Sequence, residues 1–347
     1  MKIMQVITLC ELGGAQSVVS NLSNELVRRG HEVIVVAGEG DGKMLTLLDK
    51  RIKTERIPSL VRRLSPLNEL KTLVAMRGIY RKYRPDVIQL HSSKAGLLGR
   101  LAFPGSKTLY TIHGFDSIRV AYRRFLPLEK VLQHHCSAIV GVSKYDRDNL
   151  IKEGITDNVS FVYNGIFPPR HLKEDPFANM NKYKGKILCI ARISPQKKPE
   201  LFADVAALMP DYAFIWIGNQ KIPEGNFPDN VFFMGNIPGA GSYTEHADVF
   251  FLPSNYEGLP MSIIEALACG TPVVASAVGG IPEILNGKNG FAVENNARKM
   301  AEKISEIMAS KEAYEAMSCE ARNVYAHCLT VERMTDGYLE IYNEITG

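Results

Sequence analysis

Short apolar runs recur along this chain with helical stretches between them, and they do so in two successive series. Residues 3–9, 33–37, 87–90, 108–112 and 138–142 form the first series, and residues 187–191, 213–217, 231–234, 249–252, 273–276 and 290–293 the second. Runs of this length bounded by turn residues read as strands buried on both faces. Between the first two runs, Val18, Val19, Leu22, Leu26 and Val27 mark one face of an amphipathic helix that Gly30 closes. Strand and helix alternating in this way call for parallel sheets with helices on both faces. The stretch 168–186, rich in Pro, Lys and Asn and without periodicity, separates the two series and reads as a linker. A chain of 347 residues exceeds the usual size of one core. The expected organisation is therefore one α/β domain over 1–167, a second over 187–330, and a helical segment over 331–347.

A hydrophobic fraction of 46% and a charged fraction of 22% are those of an ordinary globular protein. The six cysteines are scattered, with neither a Cys-x-x-Cys pair nor histidines at zinc-finger spacing, the pattern of reduced thiols in a cytoplasmic protein. The apolar opening is short, broken by Gln5 and followed by Glu11 and a glycine turn, so it reads as a first strand and not as a signal peptide. No stretch reaches the roughly 18 uninterrupted apolar residues of a membrane-spanning helix.

The net charge of +4 hides an asymmetry: residues 1–170 hold 26 Lys or Arg against 15 Asp or Glu, a net of +11, and the remainder 15 against 22, a net of −7. Segment 50–84 alone has eleven basic residues against Glu55 and Glu69. Its basic and apolar positions are mixed as in a helix lying on anionic lipid, which points to peripheral membrane contact, with a solvated helical face as the alternative. No nucleic-acid partner is expected.

Ser254-Asn255-Tyr256-Glu257-Gly258-Leu259-Pro260 lies between two apolar runs and leads into an apolar helix that contains Glu265 and ends at Gly270 and Pro272. Glu257 falls in the loop and Glu265, eight positions on, inside the helix. A carboxylate on a buried helix is costly unless something bonds it, so Glu265 is either tied to a protein donor or waiting for a ligand that brings hydroxyls. Ligands of open parallel sheets bind at the carboxyl ends of the strands. Just past the strands stand Gly13-Gly14, His91-Ser92-Ser93-Lys94, His113-Gly114, Asn164-Gly165, Arg192 with Lys197 and Lys198, and Gly218. Gly13-Gly14 opens a helix whose amides can approach an anion.

The Glu-x7-Glu spacing with Gly-Leu-Pro inside it resembles the retaining glycosyltransferases of the GT-B class, family four. Arg192-x4-Lys197, the Gly13-Gly14 turn, His113-Gly114, Asn164-Gly165 and Val278-Gly279-Gly280 match motifs of that family in its order. The resemblance implies a GT-B fold, two Rossmann-like domains with parallel sheets facing across a deep cleft, and a last helix crossing back to the first domain. It implies a nucleoside-diphosphate sugar as donor, UDP- or GDP-linked, and a hydroxyl acceptor, with no metal and no other cofactor. Arg192 and Lys197 would neutralise the diphosphate, and Glu265 would hold the ribose. Glu257, with the backbone amides of the Gly258-Leu259-Pro260 turn, would position sugar and leaving group. His113 would orient the sugar, Gly14 would complete the pocket, and Gly218 would lie by the base. Gly13, His91, Ser92 and Lys94 would face the acceptor, which bacterial members resembling this one carry on a lipid in capsule, lipopolysaccharide or exopolysaccharide synthesis. The chain departs from the family at Lys198, where glycine is common, and at Phe167, where an acidic residue is. The alternatives are a GT-B sugar-nucleotide epimerase and a nucleotide-sugar binding protein without catalysis. Asp146-Arg147-Asp148 imitates a metal-binding Asp-x-Asp but falls in a helical stretch and reads as a surface pair.

Overall fold

The computed structural model describes residues 1–219, 221 and 225–347. The chain divides into two compact units, Met1–Gly165 with Val331–Gly347, and Ile166–Thr330. In the first, β1 (Lys2–Leu9), α1 (Gly14–Arg28), β2 (Glu32–Glu39), β3 (Lys53–Arg56), α2 (Pro66–Tyr83), β4 (Val87–His91) and α3 (Ser93–Ala102) are followed by β5 (Thr108–Ile112), α4 (Leu126–Leu132), β6 (Ala138–Gly141), α5 (Lys144–Lys152) and β7 (Val159–Phe161). The second contains β8 (Lys186–Ile190), α6 (Pro199–Leu208), β9 (Ala213–Ile217), β10 (Val231–Phe233), β11 (Val249–Leu252), α7 (Met261–Cys269), β12 (Val273–Ser276), α8 (Ile281–Ile284), β13 (Gly290–Val293), α9 (Ala297–Ile307) and α10 (Lys311–Cys328). The last helix, α11 (Val331–Thr346), packs on α1 of the first unit.

Both sheets are parallel throughout, ordered β3-β2-β1-β4-β5-β6-β7 and β10-β9-β8-β11-β12-β13. Each is the Rossmann-like architecture that the alternation of apolar runs predicts. The chain steps outward one way from β1 and returns to build the other half from β4, and right-handed crossovers then set α1 on one face and α2 to α5 on the other. The second sheet does the same about β8 and β11, with α6 packed beside α9 and α7 beside α10. Strand order thus reverses between β1 and β4 and between β8 and β11, and ligands of such sheets gather beyond the carboxyl ends at that reversal. The central strands are buried on both faces, which is why they read as unbroken apolar runs.

Three local readings change. Residues 53–56, counted with the basic segment, form an edge strand, where alternating Lys, Thr, Glu and Arg leave an unpaired edge charged. Residues 168–186 pack within the second unit, with Phe177 and Met180 buried and Leu172 N–H donating to Glu245 Oε1 at 2.5 Å. Asp146 is not on the surface: it is fully buried at the start of α5, where Ser143 Oγ and the Phe115 N–H donate to it at 3.1 and 2.7 Å. Only Asp148 of that pair is exposed, bonded to Arg147.

Candidate active site

In the second unit the site begins where β8 ends. Ala191 is pinned: its N–H donates to the Ile217 carbonyl and its own carbonyl accepts Trp216 Nε1–H at 2.7 Å. A Cβ on Gly218 would stand 2.5 Å from that carbonyl oxygen, at a φ of +113° that side chains rarely adopt, so only glycine fits. Arg192 leaves this fixed point exposed to solvent and makes no hydrogen bond or ion pair with a described residue.

The turn at 195–197 is fastened to the loop after β11. Asn255 N–H donates to the Gln196 carbonyl at 2.8 Å, Gln196 Nε2 to the Tyr256 carbonyl at 2.8 Å, and Asn255 Nδ2 to the Pro195 carbonyl at 2.9 Å. These three bonds bring Lys197 Nζ onto Glu257 Oε1 in a short, largely buried ion pair. Ser254 Oγ donates to the same oxygen at 2.6 Å. Ser254 is itself held by Ser276 Oγ, which accepts its N–H at 2.7 Å, and by Asn295 Nδ2, which donates to its carbonyl at 2.9 Å. From the far side, Gly280 N–H donates to the Gly258 carbonyl at 2.8 Å, and a Cβ on Gly279 would come within 2.0 Å of the Glu257 carbonyl. Glycine at 279 therefore lets two backbones close on the Glu257 loop, and the Gly280 amide ties them together. Lys198 takes φ 44° and ψ 60°, a left-handed conformation that costs a side-chain residue about 1–2 kcal/mol. The family's glycine there avoids that cost, and Lys197 is the lysine that reaches the carboxylate.

Pro260 caps α7 with no side-chain bond and no acid in the first turn, so the positive end of the helix is left open beside Glu257. Having no N–H itself, Pro260 can contribute no amide to the expected turn. Glu265 lies within α7 and is half-buried, against Gly241, where a Cβ would meet its Cδ at 2.6 Å. Its carboxylate makes no hydrogen bond with a described residue, and burial pushes its pKa up to about 7. Of the two options the sequence leaves, a protein donor is not found among the described residues.

In the first unit, Gly13 in extended conformation precedes the uncapped start of α1, and Gly14 is its first residue. His113 follows β5 directly. His91, the last residue of β4, is fully buried and hydrogen-bonded to His113 and Gln5, so it touches a ligand only through His113. Ser92 holds φ 71° with its hydroxyl bonded to Thr8 Oγ1 at 2.7 Å. Lys94 is spent on Glu69 and the Arg63 carbonyl, each at 2.6 Å. Beside the Gly13 loop lies a shallow, open depression of about 440 Å³ lined by Leu9, Glu11, Glu39, Arg62 and Arg63. No motif marks Glu11, Glu39, Gly241, Ser276 or Asn295 in the amino-acid sequence, and Asp146 reads there as a surface charge. Among the described residues no group of three or more His, Cys, Asp or Glu is placed to hold a metal ion.

Two family models match the chain, the glycosyltransferase family 4 model over residues 12–168 and the model of glycosyl transferases group 1 over residues 173–324. Among curated relatives, the chain is 24% identical to the UDP-Gal:alpha-D-GlcNAc-diphosphoundecaprenol alpha-1,3-galactosyltransferase of Escherichia coli, over 98% of this chain and 96% of that one. It is 28% identical to the O-antigen biosynthesis glycosyltransferase WbnH of the same species, over 97% of each. Among solved structures, HepE of Anabaena, in complex with UDP-glucose, superposes with a TM-score of 0.84 at 20% identity, over 99% of this chain and 100% of that one. The motif order, the two sheets and the two models agree: the chain belongs to the family-four, group 1 glycosyltransferases and has their GT-B fold.

Proposed function

We propose that the protein transfers a hexose-type sugar, with retention of configuration, from a UDP- or GDP-linked donor to a hydroxyl of a lipid-linked saccharide during synthesis of a bacterial surface polysaccharide. The observation that carries this is the constellation at the β8/β11 reversal. There a solvent-facing Arg192 and a Glu265 carboxylate, neither bonded to a described residue, flank a fixed Lys197–Glu257 pair at the edge where a nucleotide would lie. Glu265 takes the ribose hydroxyls, and Arg192 with Lys197 meets the charge that grows on the diphosphate as the bond from the anomeric carbon to the phosphate oxygen breaks. The acceptor oxygen attacks on the same face, its proton passes to the departing phosphate oxygen, and a nucleoside diphosphate is released. His113 takes a sugar hydroxyl, and the open depression by Gly13 seats the acceptor. The printed names of the relatives, one acting on a diphosphoundecaprenol-linked sugar and one in O-antigen biosynthesis, support the acceptor class.

The test supplies UDP- and GDP-hexoses with and without a polyprenyl-diphosphate saccharide. Acceptor-dependent release of one nucleotide, with an α-linked product from an α-linked donor, is the expected result. A new sugar nucleotide formed without acceptor would move the reading to an epimerase, and binding without either would move it to a non-catalytic binder.

This reading sets the reaction at the cytoplasmic face of the plasma membrane. Among the described residues no helix is long and apolar enough to cross a bilayer. Leu64, Leu67, Leu70 and Val74 are each at least 60% exposed along the start of α2, and Val120 and Val131 are exposed around α4 on the same side of the sheet. From residue 62 to 147 no acidic residue is exposed, while Arg62, Arg63, Lys71, Arg77, Arg123 and Arg124 all are. Arg123 is paired with Glu153, but apolar side chains rimmed by the remaining exposed cations suit an anionic bilayer, each such cation adding about 1 kcal/mol at low salt. Changing Leu67, Leu70 and Val74 together to glutamine should weaken sedimentation with phosphatidylglycerol vesicles by about tenfold, with transfer to a water-soluble acceptor unchanged. Equal binding of wild type to neutral and anionic vesicles would refute it.

A further inference from the structure

A chain of buried polar side chains crosses the first unit's sheet and ends on His113. Gln5 of β1, Gln89 of β4, Thr111 of β5 and the two tyrosines Tyr338 and Tyr342 of α11 are all buried. Gln5 Nε2 donates to Gln89 Oε1 at 3.1 Å and to Tyr342 Oη at 3.2 Å, Tyr342 Oη–H donates to Gln89 Oε1, and Gln89 Nε2 donates to Thr111 Oγ1 at 2.7 Å. With its amide nitrogen used in this way, Gln5 turns its oxygen to His91 Nε2 at 2.6 Å. That separation fits an N–H···O bond and is too short for N–H···N, so the orientation of the amide and the position of the His91 proton are fixed together.

The consequence passes outward. His91 is neutral, since burial holds its pKa well below the ordinary value, and a neutral imidazole with its proton on Nε2 offers a lone pair on Nδ1. His113 Nε2 lies 2.9 Å from that Nδ1 and must donate to it. His113 is neutral too, burial lowering it to about 4, so its remaining nitrogen, Nδ1, carries a lone pair. That nitrogen has no partner among the described residues.

We propose that this relay makes His113 Nδ1 an obligate acceptor, which selects a donor sugar presenting a hydroxyl there and rejects one presenting a carboxylate. The selected class is a neutral hexose, and the excluded class a uronic acid. This rests on the reading of His113 as a sugar contact. Gln5 and His91 are positioning residues, acting on the sugar only through the tautomer they impose.

Histidine-selective nitrogen NMR on the full chain without ligand tests the relay itself. Both His91 and His113, assigned by their single asparagine variants, should show a pyrrole-like Nε2 and a pyridine-like Nδ1. In Gln5→Leu, which removes the acceptor, the His113 signals should shift toward a mixture of tautomers. A pyrrole-like Nδ1 on His113 in the wild type would overturn the proposal, and that result needs no variant to fold. Titration of UDP-glucose against UDP-glucuronate should favour the hexose by about tenfold or more, with His113→Asn erasing most of the difference. Equal or tighter binding of the uronate would overturn the specificity. If neither of these nor a GDP-hexose bound, the donor reading would fall, and the nitrogen signals would still decide the relay.

Discussion

Replacing Arg192 by alanine should lower kcat by about 10²–10³ while leaving thermal stability unchanged. The two halves of that expectation come from one observation. Arg192 is exposed and bonded to no described residue, so its removal breaks no contact of the folded state. Its backbone, by contrast, is fixed by Ala191 between Ile217 and Trp216, so the guanidinium starts from a defined place. A cation anchored in this way acts where charge develops, on the leaving diphosphate, and its effect belongs in kcat more than in KM. Arg192→Lys should recover part of the rate, because an ammonium supplies charge without the two-pronged geometry. Lys197→Ala should behave differently: it strands the buried Glu257 carboxylate without its cation and must cost stability as well as rate. Steady-state kinetics beside thermal melts of the three variants checks the set. An Arg192→Ala enzyme with kcat within about threefold of wild type would remove Arg192 from the diphosphate.

Much of this was legible in the residues because it is local. Unbroken apolar runs mark strands of a parallel sheet, and the polar and glycine residues just past them mark its ligand edge, which is how Arg192, Glu257 and Gly218 stand out in the amino-acid sequence. What the sequence hides is pairing over long separations. Lys94 looks as available as Arg192, yet it is consumed by Glu69 and Arg63. Asp146 looks like an exposed helical charge, yet it anchors the backbone two residues beyond His113. Ser276 and Asn295 have no motif of their own, and they matter because they clamp Ser254, which bonds Glu257. Gly241 is one glycine among many until the Glu265 carboxylate is found against it. Nothing in the spacing of Gln5, Gln89 and two C-terminal tyrosines announces that they converge, since α11 returns to the first unit from more than 200 positions away.

Glu265→Ala should weaken nucleotide binding by about 3 kcal/mol, roughly 10²-fold in Kd, because a carboxylate that accepts two hydroxyls loses two charge-assisted bonds at once. The pH dependence is the more discriminating result. Burial raises the Glu265 pKa from 4.5 to about 7, with no donor among the described residues to offset it. Ribose hydroxyls donate to the ionised form, so a ligand must first draw the proton off, and binding should strengthen as pH rises from about 6 to 8 with release of a proton near the lower end. The folded protein without nucleotide runs the other way. A raised carboxyl pKa contributes stability that is fully present below the unfolded value and is lost as pH climbs through the folded one. Between those limits the empty enzyme therefore loses stability while its affinity grows, and nucleotide should protect it most at the alkaline end. In Glu265→Gln both trends attributable to this group disappear, while any titration of the nucleotide's own phosphates remains and serves as the control. Calorimetric titration of UDP and GDP in buffers of different ionisation enthalpy, on wild type and Glu265→Gln, reads proton release and affinity together. If the two proteins give the same pH profile, the carboxylate is not what the nucleotide meets.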